Sequence, residues 1–158
     1  MEPLKALEAL SHERLTQTRR LAALSAEALG HLNEENSEAF ADNIEAGNAV
    51  IAQIDRLSAA MEEGVGRLNG KDAAIVRALL QSGEADIRCP DWCAQLLSDH
   101  IALVRLLRDC QSLNARMESD ARVISENAQH HLIGIRMNRK IVKRYAAPGP
   151  TSGTRINV

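Results

Sequence analysis

Cys89, Cys93, His100 and Cys110 fall within 22 residues, and all four side chains are of metal-ligating type. A structural zinc site takes its ligands as tight pairs on a knuckle or turn, such as two Cys-x2-Cys units, whereas this set has one Cys-x3-Cys and no second pair. On a continuous helix Cys93 and His100 share a face, but Cys110 falls about 100° away from Cys93 and roughly 25 Å along. The pattern predicts buried or half-buried thiols and no metal. Three cysteines are an odd number without the density of a disulfide scaffold, so they read as reduced thiols. Adjacent residues of a helix point about 100° apart, so His130 and His131 cannot both face one metal or one proton; His131 belongs on a seam and His130 on the surface. His12-Glu13 lacks the second histidine of a zinc-protease helix, and Gly64-Val65-Gly66 neither follows a strand nor leads into Gly-Lys-Ser. Glu34-Glu35 and Glu62-Glu63 stand in polar company with no apolar pocket to raise a pKa, which makes them solvated faces. The expectation is a protein that is not an enzyme, with no catalytic, metal or cofactor residues.

The segment 135–145 is more informative. Projected on a helix, Arg136, Arg139, Lys140, Lys143 and Arg144 occupy an arc of about 140°, with Ile135, Met137, Ile141, Val142 and Tyr145 on the other side. Such basic amphipathic helices serve membrane surfaces, nucleic-acid grooves, or an apolar groove or helix of a partner. Burying five apolar side chains contributes roughly 8 to 15 kcal/mol at best, and ordering the eleven residues costs about as much. Alone the segment is marginal; it is either packed on the rest of the chain or completed by a partner.

The elements that must carry these residues are helical. Leu4, Leu7, Leu10 or Ser11, Leu15, Thr18, Leu21, Leu24 or Ser25 and Leu29 step by three and four, predicting a first helix over 3–29 with Gly30 as its stop. Asn36 can cap a second helix, along which Phe40, Ile44, Gly47, Ile51, Ile54, Ser58, Met61, Val65 and Leu68 keep 4-3 spacing. That rod of roughly 42 Å needs a partner helix of similar length. Asn69-Gly70 interrupts the pattern, Asp72 can cap a short third helix ending near Gln81, and 82–90 is a connection. From a cap at Asp91 the chain runs to Tyr145 with no Pro and a single Gly, and Leu103, Leu107, Cys110, Asn114, Met117, Ala121, Ile124, Ala128, His131 and Ile135 continue the 4-3 seam.

Composition agrees. Of 158 residues 45% are hydrophobic and only 2% aromatic, namely Phe40, Trp92 and Tyr145, which disfavours base-stacking modules, small-molecule pockets and β-sandwich cores. The net charge of -2 gives no global reason to expect nucleic acid or membrane, although all six charged residues from Gly134 onward are basic. No stretch approaches the ~18 apolar residues of a membrane span, and the opening Met1-Glu2-Pro3 has no leader character, so the expectation is a cytoplasmic protein without stable membrane insertion. The expected fold is all-α, an elongated antiparallel helical bundle with coiled-coil-like long helices. Residues 1–133 form the bundle, 134–146 a basic amphipathic C-terminal helix, and 147–158, with two prolines and two glycines, a disordered tail.

The order of features resembles a known family. Two long amphipathic helices around a short one, Val50-Ile51-Ala52-Gln53-Ile54-Asp55-Arg56-Leu57, Leu107-Arg108-Asp109-Cys110-Gln111-Ser112-Leu113-Asn114, and the run from Leu132 to Tyr145 before a Pro/Gly-rich end are similar to the FlgN-type flagellar export chaperones. The family places a second Asn three residues after Asn114 and a Gly after Tyr145, where this chain has Met117 and Ala146. The resemblance implies a chaperone that holds hook-filament junction proteins (flagellar hook-associated proteins) and delivers them to the flagellar type III export apparatus. It also implies that Leu132, Ile135, Met137, Ile141, Val142 and Tyr145 receive the client's terminal helix while Arg136, Lys140 and Lys143 keep the site soluble and pair with acidic groups at its rim. The FliT-type chaperones of the filament cap protein and structural coiled-coil adaptors share the helical build. A homodimer is open, because a long seam can close within one chain or between two.

Overall fold

The computed structural model describes residues 2–83 and 88–145, the side chains of Ile141, Val142, Arg144 and Tyr145 excepted. The expected tail, 147–158, lies outside the described residues. Among the described residues four α-helices follow one another: α1 Glu2–Asn33, α2 Ser37–Gly66, α3 Gly70–Gln81 and α4 Ala94–Tyr145, the last entered through a 3-10 turn, Asp91–Cys93. The described residues contain no strand, and the fold is an all-α helical bundle. No described helix is long and apolar enough to cross a membrane. The chain divides into two compact units, Met1–Met117 and Glu118–Val158.

In the first unit α1 and α2 pair along their length, as the short turn between them requires of neighbouring antiparallel helices. The leucine stripe of α1 is the buried one: Leu4, Leu7, Ser11, Leu15, Thr18, Ala28 and Leu29. Thr18 satisfies its buried hydroxyl by donating to the Arg14 carbonyl at 2.8 Å. Near the ends, Gly64 of α2 meets Leu7 so closely that an added Cβ would stand 2.8 Å from Leu7 Cδ2, which lets the two backbones approach. Around that contact sits the main core, with Leu7 of α1, Met61 and Val65 of α2, Val76 and Leu79 of α3, and Leu96 of α4. Each such side chain contributes about 1.5 to 3 kcal/mol by leaving water.

On α2 the buried stripe is Gly47, Val50, Leu57, Met61 and Val65. The strict 4-3 frame from Phe40 therefore holds at Gly47, Met61 and Val65 but is one residue off between them, where Val50 and Leu57 are buried and Ile51 is 43% exposed. The reason is that α2 has apolar residues for two neighbours: one line faces α1, while Ile44 and Ile51 face a cleft shared with α1 and α4.

The helix ends also refine the expectation. α1 passes Gly30, where an added Cβ would meet nothing within 4 Å, and closes one turn later. The Glu35 amide donates to the Leu32 carbonyl at 3.2 Å and the Asn36 amide to the His31 carbonyl at 2.9 Å, the paired bonds of a Schellman stop. Glu35 takes the left-handed position with φ 57°. Asn36 then caps α2, its side chain accepting from the Ala39 amide at 3.2 Å. A left-handed backbone disfavours any residue with a Cβ. Glu35→Gly is therefore expected to stabilise the chain by about 0.5 to 1 kcal/mol, read as a higher urea midpoint with an unchanged slope.

α3 is capped by Asn69, whose side chain accepts from the Asp72 amide at 3.0 Å while the Asp72 carboxylate accepts from the Asn69 side-chain amide. Asp72, read as the cap, is instead the third helical residue of a reciprocal capping pair. Asp91, read as the cap of α4, lies in the 3-10 turn, with Pro90 at the cap position and the Asp91 carbonyl accepting from the Ala94 amide. Two side chains of α4 hold the start of the connection. The His100 Nε2–H donates to the Ser82 carbonyl at 2.7 Å, and Arg108 Nη2 donates to the Gly83 carbonyl at 3.0 Å.

Candidate partner-binding surfaces

The reactive residue types lie in the first unit in structural surroundings. Cys93 is fully buried, and its thiol donates to the Pro90 carbonyl at 3.2 Å. Burial, helped by the neighbouring Cys89, pushes the Cys93 thiol up to about 12. Burial, then the charge of Asp109, also raises Cys110. A raised pKa means less thiolate at a given pH, and the thiolate is the nucleophile; at pH 8 a thiol titrating near 12 is ionised about one part in ten thousand. Cys89 alone of the three is half-buried. Native thiol titration with a chromogenic disulfide is therefore expected to give one fast equivalent per chain, lost in Cys89→Ser, and the other two only after denaturation.

Histidine and carboxylate placements follow the same pattern. Buried Asp99 accepts from Gln95 Nε2 at 3.1 Å and lies 3.9 Å from the exposed His12 ring. Among the described residues no group of three or more His, Cys, Asp or Glu side chains is placed to hold a metal. Glu62 and Glu63, read as solvated, are exposed and pair with Arg77 and Arg67 at 3.2 and 2.6 Å. Exposed pairs of this kind contribute little.

Among the described residues, two apolar surfaces bear on partner binding. The first is a cleft of about 220 Å³ in the first unit, lined by Leu21, Leu24 and Ala28 of α1, Ile44, Gly47 and Ile51 of α2, and Cys110, Asn114 and Met117 of α4. The seam spacing of α2 and α4 marked several of these residues as core. It could not show that they border an open cleft, because that depends on how three helices diverge.

The second surface is on 118–145. α4 is unbroken through Gly134 to Tyr145, so the basic amphipathic segment continues a helix that begins at Ala94. The first compact unit ends at Met117; beyond it Ile124 and Ile135 are half-buried and Ala121, Ala128 and His131 are exposed. Val123, Leu132, Ile133 and Met137 are 52 to 58% exposed. Ile135 is half-buried, and Arg136, Arg139, Lys140 and Lys143 are exposed. Ile141, Val142 and Tyr145 belong to the helix, but their side chains lie outside the described residues. His130 and His131 are both exposed. Ile135 and Met137 sit at the two margins of the apolar arc, about 160° apart, whereas Leu132 lies about 60° from Ile135 on the other side. A straight helix laid on one line reaches Leu132 with Ile135, or Met137, but not all three.

Comparison with protein families, with curated proteins and with solved structures found no match. The arrangement itself therefore carries the functional argument. The C-terminal part of α4 exposes large apolar side chains, with cations and no acids after 134, the composition of a basic amphipathic helix.

Proposed function

We propose that this chain is a helix-capturing export chaperone that works in the cytoplasm, and that its client is the apolar terminal helix of an unassembled flagellar hook-filament junction protein. The observation that supports it best is the exposure of Val123, Leu132, Ile133 and Met137, each more than half exposed on one continuous helix. The sequence resemblance to the FlgN-type chaperones supplies the client class, and delivery to the flagellar export apparatus follows from the same resemblance. A client whose own seam is exposed assembles early unless that seam is covered. Leu132, Ile135, Met137, Ile141, Val142 and Tyr145 supply the apolar cover, while Arg136, Lys140 and Lys143 favour a client with acids at its rim.

Burying three exposed side chains at about 1.5 to 3 kcal/mol each contributes roughly 4.5 to 9 kcal/mol, much of which the cost of association offsets, so capture needs further contacts along the helix. Calorimetric titration of the intact chain with hook-filament junction protein tests the reading: a 1:1 complex weakened by Leu132→Asp is expected. Membrane binding is the competing use of a basic amphipathic helix. Salt-sensitive sedimentation with anionic vesicles, lost in Ile141→Asp, together with no heat from the junction protein, would replace the chaperone reading.

A further inference from the structure

The same helix carries a second pattern, which shares Leu132 and Ile135 with the proposed client surface and extends from it toward the start of the segment. Ala121, Ile124, Ala128, His131 and Ile135 keep 4-3 spacing and fall within about 80° of one another. Ile124 and Ile135 are half-buried, and Ala121, Ala128 and His131 are exposed. Along one flank of this line run Glu118, Ser125, Leu132 and Arg139, one residue per heptad. The charges are polar along the axis: 118–126 holds Glu118, Asp120 and Glu126 against Arg122, while 134–145 holds only cations.

We propose that residues 118–139 of two copies of this chain pair as an antiparallel coiled coil, with Glu118 of each copy against Arg139 of the other. Parallel pairing sets the cationic ends side by side; antiparallel pairing sets each cationic end against an acidic one. In a second copy the same charge asymmetry recurs, so a two-fold axis perpendicular to the helix matches each end with its complement. The register follows from the seam. Placing Ala128 opposite His131 gives two central layers that match a small side chain to a larger one, and it puts Ile124 opposite Ile135 on both sides. In this register Glu118 and Arg139 lie on facing flanks: their pair is centred between residues 128 and 129, one residue from the centre of the layers between 129 and 130, an axial offset of about 3 Å that two long side chains span. The paired stretch is about 33 Å, or three heptads, with alanine and histidine at its middle. Polar seam residues fix register and lower stability, so the dimer is weak and reversible.

Sedimentation velocity on the intact chain, without client and over a concentration series at low salt, tests this. Self-association is expected, and Ile124→Asp with Ile135→Asp should abolish it while leaving the first unit's thermal transition in place. His131→Leu should tighten it about tenfold. Glu118→Arg and Arg139→Glu should each weaken it about tenfold, and the two together should restore it, which a merely structural role for either residue cannot do. A chain that stays monomeric even as His131→Leu, association untouched by the Ile124/Ile135 variant, or a double charge swap that fails to restore pairing overturns the proposal. Since no client is present, these outcomes are independent of the chaperone reading.

Discussion

Truncation after Gln129 is expected to leave a cooperative, folded bundle that captures its client at least a hundredfold more weakly, a loss of about 2.7 kcal/mol or more. The first half of that expectation rests on the core. The unit Met1–Met117 contains the main cluster around Leu7, Met61, Val76 and Leu96, and its buried stripe on α1 is complete without anything beyond it. The second half rests on exposure. Leu132 and Met137 are 52% and 58% exposed, so removing them costs the fold almost nothing and removes apolar area that only a partner can bury. Thermal unfolding by circular dichroism and calorimetric titration with junction protein, run on the same preparations, separate the two effects. A truncated chain that binds as tightly as the intact one places the client on the cleft of the first unit instead.

Leu96→Ala is expected to act in the opposite sense, destabilising the bundle by about 2 to 5 kcal/mol. Leu96 is fully buried and is the point at which the start of α4 joins the core formed by α1, α2 and α3. The substitution opens a cavity among side chains from four helices that cannot all collapse into it. Against a total stability of about 5 to 15 kcal/mol this is a large fraction, so the urea midpoint should fall steeply. Leu132→Ala, at an exposed position of the same helix, should stay within about 0.5 kcal/mol of the parent. Equal effects at the two sites would mean that 118–145 is packed rather than open.

How far the sequence foretold this depends on the helix. On α1 the three-and-four spacing of leucines named the buried line almost residue by residue, because one side of that helix carries nearly all its large apolar residues. On α2 the same procedure slipped. Val50 and Ile51 are adjacent and equally apolar, a heptad frame drifts about 20° per repeat against a straight helix, and only the path of α4 decides which faces α1. Caps were legible as polar turn residues, yet Asn69 rather than Asp72 opens α3: the Asn69 side chain accepts from the Asp72 backbone amide, and the Asp72 carboxylate accepts from the Asn69 side-chain amide. The left-handed Glu35 was not legible at all, because glycine is the usual residue there and Gly30 offered a more obvious stop.

On α4 the spacing gave the seam from Leu103 to Ile135 in one register, but spacing cannot say where cover ends. Leu103 and Cys110 are buried, whereas Ala121, Ala128 and His131 are exposed. A seam written for a partner and a seam already partnered have the same sequence. For that reason the basic amphipathic segment could be named as a recognition element or as a packed end, and exposure of Leu132, Ile133 and Met137 favours the first.

Hydrogen exchange on the intact chain, with and without saturating hook-filament junction protein, tests the central claim most directly. Capture by the C-terminal part of α4 predicts slower exchange concentrated in peptides covering 130–145, with the bundle peptides of α1 and α3 unchanged. Protection confined to the peptides that line the cleft of the first unit, or no protection at saturating junction protein, would contradict it.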